Sequence, residues 1–173
     1  PAKFQLTAAL NPCKCGYYPD RKKCTCSQGQ IKNYLGRISK PLLDRIDIFT
    51  ETIILKYGEI SNSDKGENSY DVRKRIEKVH HIQKERYKND GILFNSELSA
   101  GMIKRYCVMD NEAKEYLENI FENMEFSARA YHKVLKTART IADMDESGEI
   151  KRKHISEAVC YRTADKKYWG VTM

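Results

Sequence analysis

The segment Phe4-Gln-Leu-Thr-Ala-Ala-Leu-Asn-Pro-Cys-Lys-Cys-Gly-Tyr-Tyr18 carries the strongest indication of the fold. It opens with an apolar run that predicts a buried strand over residues 3–11. That run ends at Asn11, and a polar amide at a strand end is where an α/β nucleotide-binding sheet presents residues to its ligand. Asn11-Pro12 is also an ordinary turn-initiating pair, so the residues alone leave both interpretations open.

The same segment begins a cysteine-rich insert that contains two C-x-C pairs, Cys13/Cys15 and Cys24/Cys26. Residues i and i+2 of an extended chain point the same way, so each pair can offer two thiolates to one ion. We predict a zinc site of four cysteines, with four free thiols as the alternative. The basic residues 21–23 between the pairs would offset the negative charge of such a site, and they could also present a basic surface to nucleic acid.

Composition excludes some classes of protein. The 173 residues carry a formal net charge of +7, which favours anionic partners. No apolar run approaches membrane-spanning length. Cys107 and Cys160 stand singly in helical patterns, which favours a reduced, cytoplasmic protein over a disulfide-bonded one. Because the chain begins with Pro1 and not with Met, we expect it to be part of a longer protein.

The pattern along the chain predicts two parts joined by a linker. Residues 1–55 hold the strand, the insert, short helices at 27–35 and from Pro41, and a second strand at 46–55. Residues 56–70 are rich in Gly, Ser, Asn and charge, and we place the linker there. Residues 71–173 are predicted to be a helical domain, with helices at 71–88, 97–107, 110–123, 127–143 and 153–163.

The helix at 127–143 has the clearest pattern. Ser127 is a good N-cap, and an apolar stripe runs along one face: Tyr131, Val134, Leu135, Ala138, Ile141 and Ala142. Arg129, Lys133 and Lys136 form a basic stripe on the opposite face, with Arg139 at its flank. These features predict one face packed in a core and the other exposed to solvent.

Arg129 is notable because it is a cation in the first turn of that helix. This position opposes the helix dipole by about 0.3–1 kcal/mol if nothing compensates for it. A bound phosphate would remove the conflict, because the helix N-terminus and the guanidinium then attract the same anion. A solvated basic face without any ligand is the plainer interpretation.

Four separated blocks of the sequence resemble magnesium-chelatase-like AAA+ ATPases of the ComM/YifB type, and they occur along the chain in the same order as in that family. The blocks are residues 4–18, 34–48, 126–143 and 161–169. The resemblance implies an α/β fragment that is mostly α. It would comprise the last strands of an AAA+ P-loop ATPase core with a cysteine-rich insert, followed by a helical-bundle lid. The four cysteines match that insert.

The resemblance also implies site residues. Asn11 matches sensor 1, which orients the attacking water near the γ-phosphate. Arg45 matches the arginine finger that one subunit supplies to its neighbour, with Arg37 the less favoured candidate. Arg129 matches sensor 2 of the lid, which contacts nucleotide within its own subunit. The implied cofactors are ATP with Mg²⁺, and the cysteines add Zn²⁺.

The expected function follows from the same resemblance: the C-terminal part of a hexameric AAA+ ATPase that remodels DNA, of the kind linked to branch migration and natural transformation. One alternative is a chelatase-type motor that drives metal insertion into a tetrapyrrole. Another is a non-enzymatic, zinc-dependent nucleic-acid-binding module. This chain has no Gly-x-x-x-x-Gly-Lys-Ser/Thr phosphate loop, so we expect it not to hydrolyse ATP alone.

Overall fold

The computed structural model describes residues 4–52, 66–124 and 126–170, and for 163–166 only the backbone. This described part is mainly helical, as the sequence predicts. A short 3₁₀ turn at Asn95–Glu97 lies between the third and fourth helices. The helices are α1 Gln28–Leu35, α2 Lys40–Leu43, α3 Ser69–Tyr87, α4 Ala100–Tyr106, α5 Asn111–Asn123, α6 Ala128–Met144 and α7 Arg152–Trp169.

Side chains cap most of these helices at the positions that the sequence indicates. Ser27 and Gln30 form a reciprocal capping box at the start of α1. Asp110 accepts the backbone N–H of Ala113 to start α5, and Ser127 accepts that of Ala130 to start α6. The predicted N-cap of the clearest helix is therefore confirmed. Helix α7 continues to Trp169, six residues past its predicted end at 163.

The strand predicted at 3–11 is not formed. Residues 4–11 have no regular secondary structure, and they are exposed. A strand needs a neighbour that pairs with its backbone and covers its apolar face, and the described residues offer none. Of the second predicted strand, residues 46–52 are also irregular, and the remainder lies outside the described residues.

The one β-type contact recorded in the described part is an isolated parallel bridge between Met109 and Ile150. The Ile150 N–H donates to the Val108 carbonyl at 2.8 Å, and the Asp110 N–H donates to the Ile150 carbonyl at 3.2 Å. The bridge holds the residues before α5 against those before α7.

The chain divides into two compact units. The first, Pro1–Ile46 with Asp165–Met173, is called here the cysteine unit. The second, Asp47–Ala164, is called the helical unit. Most of the predicted linker at 56–70 lies outside the described residues, so the division into 1–55, 56–70 and 71–173 stays a prediction.

Helix α6 is the central element of the helical unit. The predicted apolar stripe is confirmed, because its members are buried except for the half-buried Tyr131. This stripe packs in one apolar cluster with residues from the neighbouring helices and loops, including Tyr87, Leu98, Ile103, Leu117, Ile150 and Ile155. No helix in the described ranges is long and apolar enough to cross a membrane.

Candidate functional site

The four predicted metal ligands come together in the cysteine unit. All four Sγ atoms lie within 4.8 Å of one another. The Cys13 Sγ is 3.3 Å from that of Cys15 and 3.8 Å from that of Cys24, and the Cys15 and Cys24 sulfurs are 3.5 Å apart. None of the four is in a disulfide. Thiolates in such a group suit a tetrahedral ion such as Zn²⁺.

Two tight turns bring the cysteines together. In the first, the Gly16 N–H donates to the Cys13 carbonyl at 3.1 Å, and Gly16 has φ +83°, a conformation that favours glycine. In the second, the Cys24 N–H donates to the Asp20 carbonyl at 2.8 Å. The Asp20 carboxylate also accepts the Lys22 N–H. These turns place the two C-x-C pairs face to face.

The surroundings shift the thiol pKa values in opposite directions. The backbone N–H of Tyr17, assisted by other hydrogen bonds, lowers the pKa of Cys15 to about 6. Partial burial raises the pKa of Cys24 to about 11. Cys15 is therefore more readily ionised than Cys24.

The cluster packs against the ends of two helices of the same unit. Cys13 is buried with Ile31 and Leu35 of α1. Tyr168 and Trp169, at the end of α7, pack on the same cluster. The Trp169 indole N–H donates to the Leu35 carbonyl at 3.0 Å, so the end of α7 is tied to α1 beside the sulfurs.

Asn11, the predicted sensor 1, is exposed and precedes the cysteine cluster directly. A Cβ added to Gly16 would lie 3.8 Å from the Asn11 Cγ, which shows how near its carboxamide is to the first turn. Asn11 does not stand at the end of a formed strand. Its sensor role stays a prediction.

The two candidate arginine fingers also belong to the cysteine unit. Arg45 follows α2 and is exposed, and its guanidinium donates to the Pro41 carbonyl at 2.7 Å. That bond directs the side chain back over the short helix. Arg37 follows α1 and is exposed as well. Both arginines are on the surface, as a residue offered to a neighbouring subunit must be.

Arg129 lies in the helical unit, on the exposed first turn of α6. Its guanidinium makes no ion pair or hydrogen bond with any part of the chain that the structure describes. No acidic residue occupies that first turn. Among the described residues, nothing therefore offsets the conflict between this cation and the helix dipole, and the sensor 2 role of Arg129 stays a prediction.

The remainder of the predicted basic stripe is not a solvated face. Lys133 is 15% exposed and pairs with Asp47 at 2.7 Å. Lys136 donates to the Ser96 carbonyl at 2.9 Å, and burial lowers its pKa. Arg139, placed at the flank by its helical position, is 1% exposed. Tertiary acceptors on neighbouring segments therefore draw these three cations inward.

A buried polar network that the sequence analysis missed holds Arg139. Its guanidinium donates to Asp143 at 3.1 Å and to the carbonyls of Ser147 and Gly148 at 2.5 and 2.8 Å. Asp143 also accepts two hydrogen bonds from Arg86 on α3. The i, i+4 spacing of Arg139 and Asp143 was the available signal for this ion pair.

Asn95 extends this network into the 3₁₀ turn. Its side-chain amide donates to Asp143 and to Thr140, each at 2.9 Å, and its carbonyl oxygen accepts the Tyr87 hydroxyl at 2.6 Å. Its backbone N–H donates to the Gln83 side chain at 3.0 Å. The network therefore joins α3, the turn and α6, and it gives the helical unit its fixed geometry.

His154 is a second buried polar residue that the sequence analysis missed. Its Nδ1 accepts the Lys151 N–H at 2.9 Å at the start of α7, and its Nε2 lies 3.1 Å from the Asp145 carboxylate. Both ring nitrogens are therefore satisfied by protein groups. This arrangement is structural, because it fixes the N-terminus of α7 against the end of α6.

Comparison with known proteins identifies related chains. A family model described as "Magnesium chelatase, subunit ChlI C-terminal" matches residues 66–162, and one described as "Magnesium chelatase, subunit ChlI" matches residues 1–60. Competence protein ComM of Haemophilus influenzae is 40% identical over 163 residues, which are 94% of this chain and 31% of that protein. The YifB proteins of Salmonella typhimurium and Escherichia coli are 38% and 36% identical over 167 residues, 96% of this chain and 32% of theirs. The chain thus spans about a third of the length of these relatives.

Proposed function

The chain belongs to the magnesium chelatase subunit ChlI family, and we propose that it is the C-terminal part of an oligomeric AAA+ ATPase that remodels DNA. In this proposal the helical unit is the lid over a nucleotide site whose phosphate loop is supplied by another part of the protein. ATP with Mg²⁺ is the cofactor, and the working form is a hexameric ring.

The observation that carries the proposal is the state of Arg129. It is an exposed guanidinium in the first turn of a long helix, and no described residue compensates for it. The Ser127 cap leaves other N–H groups of that turn directed outward. A nucleotide phosphate would accept from these N–H groups and from the guanidinium at once. This is the role of a sensor arginine in a lid.

Arg45 supports the oligomeric part of the proposal. An arginine finger must be a permanently charged donor on the surface of one subunit, where it can reach the γ-phosphate held by the next. Arg45 is exposed, and its backbone is anchored by the short helix α2. Asn11 would complete the site by orienting the attacking water.

DNA is the proposed substrate because the chain has a net charge of +7 and its cysteine unit exposes a cluster of basic side chains, among them Lys14, Arg21, Lys22 and Lys23. The relative ComM is named a competence protein. The second candidate function, metal insertion into a tetrapyrrole, is favoured by the family's own description as a magnesium chelatase.

The two arginines provide the test, in the longer protein of which we propose this chain to be a part. Arg129→Ala should weaken nucleotide binding about tenfold or more, because it removes a charge-assisted contact within the subunit. Arg45→Ala should leave binding intact and lower hydrolysis on the order of a thousandfold. Arg73→Ala, an exposed arginine near the start of α3, is the matched control.

Mixing the two variants separates their roles. A subunit with Arg45→Ala still binds nucleotide, and an adjacent subunit with Arg129→Ala still offers Arg45. Mixed rings should therefore recover part of the hydrolysis that Arg45→Ala lacks. If Arg45→Ala hydrolyses ATP at the unmodified rate, the finger assignment is wrong and Arg37 is the next residue to change. If Arg129→Ala binds nucleotide like Arg73→Ala, the lid assignment is wrong.

A further inference from the structure

The spacing of the four sulfurs fits one bound ion. A Zn–S bond of about 2.3 Å in tetrahedral geometry separates the ligand sulfurs by about 3.8 Å. Three of the separations here are 3.3, 3.5 and 3.8 Å, and all four sulfurs lie within 4.8 Å of one another. Disulfide sulfurs are about 2.05 Å apart, so no pair is bonded. The four thiols therefore surround a common centre and do not form disulfide pairs.

Backbone N–H groups lower the pKa of two of the thiols against the opposing effect of desolvation. Those of Tyr18 and Gly16 act on Cys13, and those of Tyr17 and Thr25 act on Cys15. Amide donors of this kind orient thiolate ligands and spread their negative charge.

The cysteine unit has a small core. Among the residues that the structure describes, its cluster has three buried members, Cys13, Ile31 and Leu35, and the other three cysteines pack against them. Metal binding energy in small cysteine sites is folding energy, so an ion held by this cluster would stabilise the core that the cysteines help to form.

The end of α7 rests on the same cluster. Tyr168 packs edge-on against Tyr18, with ring centroids 6.0 Å apart, and Trp169 donates to the Leu35 carbonyl. Both aromatic residues contact the group that contains the cysteines. The two C-x-C turns therefore form part of the surface on which these aromatic residues pack, together with α1.

We propose that Cys13, Cys15, Cys24 and Cys26 bind one zinc ion, and that the loaded cluster is the platform on which the C-terminal end of α7 packs. The zinc then stabilises more than the segment that binds it, because the loaded cluster also holds the last turn of α7 against α1. This inference does not depend on the nucleotide activity proposed above.

Metal content tests the first half of the proposal. The 173-residue chain, purified without added metal or chelator, should contain close to one zinc per chain by elemental analysis. Cys24→Ser combined with Cys26→Ser should abolish that zinc. Cys160→Ser is the matched control, because Cys160 is exposed and outside the cluster, and it should retain the metal. Four free thiols without metal, or iron in place of zinc, would overturn the assignment.

The fluorescence of Trp169, the single tryptophan of the chain, tests the second half. Removing zinc from the unaltered chain with a chelator should shift the emission to longer wavelength and increase quenching by acrylamide. Adding Zn²⁺ back should reverse both changes, and Mg²⁺ should not. This measurement needs no variant, so a failure of the serine variants to fold does not affect it. If zinc leaves and returns while the emission stays constant, the platform proposal is wrong.

Discussion

Asp143→Asn should be among the most destabilising single changes in the helical unit. The carboxylate of Asp143 accepts from Arg86, Arg139 and Asn95 at once and is 1% exposed. Asparagine has nearly the same shape, but it is neutral and turns an amide N–H₂ toward the guanidinium groups. The change therefore removes the charge that compensates two buried or half-buried arginines, without leaving a cavity.

The expected magnitude follows from how buried each partner is. Removing one member of a buried ion pair costs about 3–5 kcal/mol, because the other charge is left uncompensated. Arg139 is 1% exposed but keeps its hydrogen bonds to the Ser147 and Gly148 carbonyls, and the Arg86 side chain is 18% exposed and can turn partly outward. We therefore expect the lower end of that range, about 3 kcal/mol.

Urea unfolding followed by circular dichroism at 222 nm measures the loss. The midpoint should fall while the slope with urea stays the same. Glu146→Gln is the control. Glu146 forms a 2.6 Å salt bridge with Lys78 in which both side chains are about 60% exposed. The substitution should therefore cost less than about 1 kcal/mol of unfolding free energy. If the two variants lose equal stability, the network does not stabilise the helical unit in the way described.

Three further predictions concern local features. Ser127→Ala should cost about 1 kcal/mol of unfolding free energy, because it removes the N-cap of α6; an unchanged urea midpoint would contradict this. Gly16→Ala should lower the zinc affinity of the chain in a competition assay, because φ +83° is strained for alanine; equal affinity would show that the turn tolerates a side chain. At pH 8, iodoacetamide should modify Cys160 and spare Cys107 in the folded chain, because burial raises the pKa of Cys107 to about 11 and leaves almost no thiolate. Equal labelling of both by mass spectrometry would show that Cys107 is accessible.

Local signals in the sequence predicted much of this structure. Helix α6 could be predicted because its N-cap, Ser127, and a regular apolar stripe are encoded within the helix and the residue before it. The cysteine cluster could be predicted because the spacing of the two C-x-C pairs brings four sulfurs within reach of one ion. In both cases the residues that determine the feature are close together in the chain.

Features that depend on distant partners could not be predicted in this way. Arg139 has the helical position of a surface cation, and its burial depends on carbonyl groups that only the fold places beside it. The apolar run at 4–11 has the composition of a strand, but composition does not supply a neighbouring strand to pair with it. The roles of Asn11 and Arg45 rest on family resemblance, that of Arg129 rests also on its place in the first turn of α6, and all three stay predictions.

The most direct test of the account is the ATPase rate of the longer protein in the presence of Mg²⁺, measured with branched DNA, with linear duplex DNA and with a porphyrin. We predict magnesium-dependent hydrolysis that branched DNA stimulates more than linear DNA does and that the porphyrin leaves unchanged. Stimulation by the porphyrin alone would favour the chelatase-type motor. No magnesium-dependent hydrolysis under any of these conditions would contradict the central claim that this chain serves a nucleotide-hydrolysing motor.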